Sequence, residues 1–239
     1  EVVRARDWWA EIDRATQVPE NVAMDVTLGI WNLLRNLTRW LLQLPGNKLE
    51  IAAEVSRFAL GFEQLIAGLD QVLPQSYRDA YAGEEQRLLS AGYSADMAAR
   101  ISKLPALSSS FDMIDLAQAE KVPVVDAARV YFDVGDALHL RWIQEQIETL
   151  PVSGRWHANA RGVLRDELFA QRRALSAQLL KRPVPANGSR VQAWLAEASG
   201  PLGNTLSMLN EISSQKTLDY PTISVAVRRL AMLVTAGAR

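Results

Sequence analysis

The chain has 239 residues, a net charge of −1 at pH 7 and no cysteine. That length leaves room for one large domain or two small ones with a sizeable core. The charge balance offers no basic field to nucleic acid or to an anionic membrane, and the missing cysteines remove disulfides, thiolate metal sites and cysteine nucleophiles together.

The opening EVVRARDWW has no apolar signal core, and the first residue is Glu1 rather than Met, so a piece of a longer polypeptide is expected. Residues 4–15 read as a short helix anchored by Trp8 and Trp9, two aromatics capping a core rather than stacking on a ligand. Residues 20–44 are the most apolar stretch, but Asp25, Arg35 and Arg39 interrupt the roughly 20 apolar residues that a membrane span needs. A buried amphipathic helix is expected there, stopped by Pro45, Gly46 and Asn47.

Residues 48–73 carry the clearest period. Val55, Phe58, Ala59, Phe62, Leu65, Ile66, Leu69, Val72 and Leu73 recur at helical spacing, with Glu54, Arg57, Glu63, Gln64 and Asp70 elsewhere around the wheel. The stripe is expected to be core, and Gly61 and Gly68, seven apart, either to mark a close helix crossing or to be tolerated without a role. Pro74 starts the next helix, which ends at Gly92, and Ser94 is the expected N-cap of a helix over 95–104. Pro105 and Pro123 open the two that follow, where a missing N–H does no harm. A helix over 140–150 is closed by Pro151. The long helix over 155–181 places Trp156, Ala160, Val163, Leu164, Leu168, Leu175 and Leu179 on one side and Arg161, Arg165, Arg172 and Arg173 on the rest.

Residues 182–189, RPVPANGS, read as a linker between a main helical domain over 1–181 and a C-terminal helical subdomain over 190–239 packed on it. Three shorter helices are expected in that subdomain, starting near Ser189, Pro201 and Pro221. Ile223 to Val227 resembles a strand, but Val227, Leu230, Ala231 and Val234 keep the helical period. The expected fold is therefore all-α, a bundle-like assembly of roughly ten to twelve helices with no sheet and no fixed repeat period.

Little of this pattern carries chemistry. Asp112 with Asp115, and Asp133 with Asp136, share helix faces at a spacing able to hold Mg²⁺, but such sites need further carboxylates, so solvated faces are the better reading and a Mg²⁺-dependent lyase is disfavoured. His139 and His157 have no ligand or nucleophile at a diagnostic spacing and are expected at the surface or between helices. No GxGxxG or GxxxxGK[ST] cradle and no GxSxG elbow occurs. Arg155, Arg161, Arg165, Arg172 and Arg173 could form a basic stripe, but Asp166 and Glu167 sit among them without stacking aromatics. We accordingly expect no catalytic, cofactor-binding or metal-binding residue within the chain, and no nucleic-acid or membrane partner.

Two segments, ARVYFDVGDALHLRWIQEQIETLPV (128–152) and WHANARGVLRDELFAQRRAL (156–175), resemble the C-terminal helical region of the large NAD-specific glutamate dehydrogenases of bacteria. RDWWAEID (6–13), LTRWLLQ (37–43) and IAAEVSRF (51–58) are similar to the same region in the same order, and the likeness weakens after the RPVPANGS segment. In that family the substrate lysine and the nucleotide-binding half precede this region, so no catalytic residue carries over. The resemblance implies a cytoplasmic, homo-oligomeric parent that oxidises L-glutamate to 2-oxoglutarate and ammonia with NAD. For this chain it implies a structural, docking or regulatory task against the parent's catalytic domain. A free-standing helical adaptor that binds partner helices is the alternative.

Overall fold

The computed structural model of the chain describes residues 48–150, 155–197, 200–214 and 220–236. Among these residues lie ten α-helices and one 3-10 helix, with no strand, in agreement with the all-α expectation. The helices expected over 4–15 and 20–44, with the Trp8–Trp9 anchor, fall outside the described residues. The chain divides into two compact units, one up to Ile114 and one from Asp115.

In the first unit, α1 (Lys48–Val72) buries Phe62, Leu65, Leu69 and Val72, and Leu73 just beyond it, at the spacings read from the sequence. Phe58 and Ala59 are half-buried, while Glu54, Glu63, Gln64 and Asp70 face solvent. Ile66 departs from expectation: it is 41% exposed. Four residues after Phe62 and three before Leu69, it keeps the spacing of the buried line but stands at its margin, where packing covers it only in part. Gly61 has the role expected of it, since a Cβ there would lie 2.9 Å from Ile114 Cγ1. The Phe58 ring stacks on Phe111 at 4.1 Å and on Phe62 at 5.9 Å.

Pro74 separates α1 from α2 (Gln75–Ser90), and Arg78 Nε donates to the Leu73 carbonyl at 2.8 Å, satisfying one acceptor that a helix end leaves open. Gly92, at φ +94°, turns the chain out of α2 in the left-handed region that glycine tolerates. Ser94 then caps α3 (Ala95–Lys103), its Oγ accepting the Met97 N–H at 3.3 Å as expected. Leu88 of α2 packs with Ala98 and Ile101 of α3, and Leu89, Tyr93 and Met97 close over them. Pro105 does not open an α-helix directly. A 3-10 helix (Leu104–Ser109) intervenes, and α4 (Ser110–Glu120) starts after it. Three consecutive serines, 108 to 110, follow here, and serine hydroxyls compete with the helix for backbone groups.

The second unit takes the rest of α4, then α5 (Val124–Ala137), α6 (Leu140–Thr149), α7 (Arg155–Leu180), α8 (Arg190–Glu197), α9 (Pro201–Ser214) and α10 (Tyr220–Ala236). Helix α7 is its centre: α5, α6, α8 and α10 all pack on it, and α9 packs on α10. Helix α10 buries Ile223, Ala226, Val227, Leu230 and Val234, which is the helical reading of that segment rather than the strand-like one. Gln178 Nε2 on α7 donates to the Val234 carbonyl at 2.8 Å. Residues 182–189 form no helix, yet the bend is tied down. Arg190 Nε donates to the Arg182 carbonyl at 3.0 Å, and Arg182 pairs with Glu197 at 2.7 Å. No helix among the described residues is long and apolar enough to cross a membrane.

Candidate functional site

Helix α7 carries the chemistry of the second unit. Its core line consists of Leu164, Leu168, Leu175 and Leu179, all buried. Val163, expected beside them, is 64% exposed, one residue and thus about 100° off the line. Position 172 falls four after Leu168 and three before Leu175, so it belongs to the buried line, and Arg172 is only 6% exposed. This corrects the expectation that Arg172 decorates the outer face. The spacing held the signal, and the charge of the residue obscured it.

The other arginines are dispersed. Arg161 is half-buried and donates to the Leu150 carbonyl at 2.9 Å. Arg165 lies 3.8 Å from Asp166, and Arg173 pairs with Asp115 at 3.5 Å. The Arg155 and His157 side chains lie outside the described ones.

The setting of Arg172 is built by α5. Arg172 Nε donates to the Tyr131 carbonyl at 2.8 Å, and the guanidinium carbon sits 3.9 Å from the centre of the Tyr131 ring. One turn later comes Gly135, where an added Cβ would stand 2.3 Å from Arg172 Nη2. Glycine is what lets the guanidinium lie against that helix. Nη2 is buried with no hydrogen-bond partner among the described residues, as is the Ser176 hydroxyl one turn along α7. Beside Arg172, α6 and α7 leave a cavity of about 10 Å³ lined by Leu140, Gln144, Arg165, Leu168, Phe169 and Arg172.

The aspartate pairs do not assemble. Asp112 and Asp115 stand on α4, one in each unit. Asp133 is half-buried on α5 and Asp136 is exposed. Among the described residues no three His, Asp or Glu side chains form a group able to hold a metal. His139 is exposed at the α5–α6 junction, at a φ of +51°.

Burial raises the Asp133 carboxyl from the ordinary 3.8 to about 6; Arg129 opposes that shift and Asp136 adds to it. The folded state thus holds this proton more tightly than the unfolded one. The contribution to stability is complete below the ordinary value and is lost as pH rises from there through about 6. Asp133→Asn, which stays neutral, should therefore gain on the parent residue between about pH 4.5 and about pH 7 in urea midpoints. An equal difference at both pH values would remove Asp133 as the cause.

The family described as "Glutamate dehydrogenase, C-terminal" matches residues 1–232. The chain is 28% identical over 236 residues to an NAD-specific glutamate dehydrogenase of Pseudomonas aeruginosa, covering 96% of this chain and 14% of that protein. An enzyme of the same name from Halomonas elongata is 27% identical over 232 residues, with the same coverage of both chains. One from Mycobacterium tuberculosis is 26% identical over 233 residues, covering 97% of this chain and 14% of its own length. The chain thus spans about one-seventh of the curated relatives it matches, and over nearly all of its own length it belongs to the glutamate dehydrogenase C-terminal family.

Proposed function

We propose that the chain is the C-terminal helical region of a large NAD-dependent glutamate dehydrogenase and acts by contact with the catalytic domain of its own polypeptide. The parent would oxidise L-glutamate to 2-oxoglutarate and ammonia with NAD, as a cytoplasmic homo-oligomer. The observation that carries this reading is the family match over residues 1–232, in relatives named for that activity and about seven times as long. Relatives in which this region is part of a longer chain do not favour the free-standing adaptor. We propose further that residues 1–181 act as the main helical domain and 190–239 as a subdomain docked on it, with no catalytic, cofactor or metal residue in either. The packing of α8 and α10 on α7 supports the docking.

A helical region of this kind changes turnover only if it contacts the open and closed states of the catalytic domain differently, or if it stabilises their assembly. Removing these residues from the parent should lower assembly or glutamate-dependent NAD reduction while leaving NAD binding intact. The isolated chain should give no heat of NAD binding in calorimetry. A truncated parent that assembles and turns over like the whole would overturn the docking role.

A further inference from the structure

Helix α10 packs on α7 and α9 along its buried line, which runs from Ile223 to Val234. On its outer side stand Val225, 45% exposed, and Met232, 62% exposed. Seven residues bring a helix round to within about 20° of the same direction, so the two share one line. Arg228 and Arg229, three and four residues after Val225, flank that line on its two sides, and both are exposed. Neither forms an ion pair or a hydrogen bond with a described residue, and α10 contains no Asp or Glu. The other exposed apolar side chains lack this setting. Val163 on α7 has Asp166 three residues on, close to Arg165, so the charges there balance. Leu60 and Ile66 on α1 are six residues apart and hence point about 120° away from each other.

We propose that this α10 face is where the chain docks on the catalytic part of its own polypeptide, and that it meets an acidic surface there. That surface offers an apolar patch to Val225 and Met232, with a carboxylate on either side for Arg228 and Arg229. The proposal rests on the dehydrogenase reading, in which relatives carry about six-sevenths of their length outside this region. A single exposed apolar residue is ordinary, but an apolar line rimmed by charge marks an interface, and Met and Arg are enriched at interfaces. Two arginines without a carboxylate select the sign of the partner. They also oppose a second copy seated face to face, since four guanidinia would meet with no negative charge between them. A bilayer is a poor occupant: one valine and one methionine give little apolar depth, and a net charge of −1 gives no attraction to anionic lipid.

The test is peroxide footprinting of Met232 in the full-length polypeptide carrying these residues. Peroxide transfers an oxygen atom to the thioether, leaving a sulfoxide and water, and an accessible sulfur reacts fastest. The tryptic peptide that holds Met232 contains no other methionine, so its mass reads that sulfur alone. Docking should slow Met232 by at least about tenfold against the same polypeptide in urea, the factor of an interface open less than one-tenth of the time. Arg228→Glu together with Arg229→Glu should restore the fast rate. High salt should speed the wild type as well, an arm that needs no variant to fold. A Met232 as fast in the native as in the unfolded polypeptide overturns the α10 face. The docking role itself is read separately, from the turnover of the truncated parent, and survives that result. Protection indifferent to charge reversal and to salt overturns the acidic partner. Protection lost on dilution gives the face to a second copy and overturns the proposal too.

Discussion

Phe62→Ala is expected to lower stability by about 3–5 kcal/mol, the usual cost of truncating a buried aromatic, while Glu63→Ala stays within about 0.5 kcal/mol. The two residues are neighbours in sequence and opposites in environment: Phe62 is 8% exposed and stacks on Phe58, and Glu63 faces solvent. Phe58 in turn lies flat on Phe111, so the lost ring also loosens the contact between α1 and α4. Urea midpoints of the two variants give the comparison. If they coincide, the face of α1 has been misassigned.

The buried face of α1 is legible in the sequence because its apolar residues repeat along the whole helix, and the length of the run averages out errors of one residue. The errors sit at its margins. Val163 adjoins buried Leu164, and a periodicity with a tolerance of one position cannot separate neighbours about 100° apart, while Ile66 keeps the helical spacing at the edge of the stripe and is only partly covered. The Ser94 cap and the Pro74 and Pro123 boundaries are legible for a local reason: the capping oxygen and the missing N–H act within one turn. The 3-10 helix (Leu104–Ser109) is not, since no side-chain cap marks it off from the α-helix that Pro105 is expected to open. The candidate site is the least legible. Position 172 sits on the α7 core line by spacing alone, but what lets a cation occupy it is a bare glycine and a tyrosine face on another helix, about forty residues away in sequence. Which helix lies opposite α7 is a tertiary fact, and no periodicity within one helix encodes it.

The pairing of Gly135 with Arg172 makes the second large prediction. Within a helix, replacing glycine by alanine ordinarily stabilises by up to about 1 kcal/mol. Gly162→Ala on α7 should follow that rule, because nothing stands within 4 Å of the added Cβ. Gly135→Ala should reverse it. The new methyl would lie 2.3 Å from Nη2 and 2.5 Å from Cζ of Arg172, so the guanidinium must move. Moving it breaks the 2.8 Å bond to the Tyr131 carbonyl and takes the charge off the Tyr131 ring. A hydrogen bond from a charged donor contributes about 1.5–3 kcal/mol, and overpacking a core adds about 1–3 kcal/mol. Against these stands the small gain in helix propensity, which leaves a net loss of about 2–4 kcal/mol. The cause is separable from a general intolerance of α5 to side chains. In the double variant Gly135→Ala, Arg172→Met, the flexible thioether can bend away from the methyl, and the combined loss should be less than the sum of the two single losses. Denaturation midpoints of the four proteins close the cycle. Strict additivity, or a Gly135→Ala protein as stable as Gly162→Ala, would mean that the guanidinium is not wedged against α5 at all.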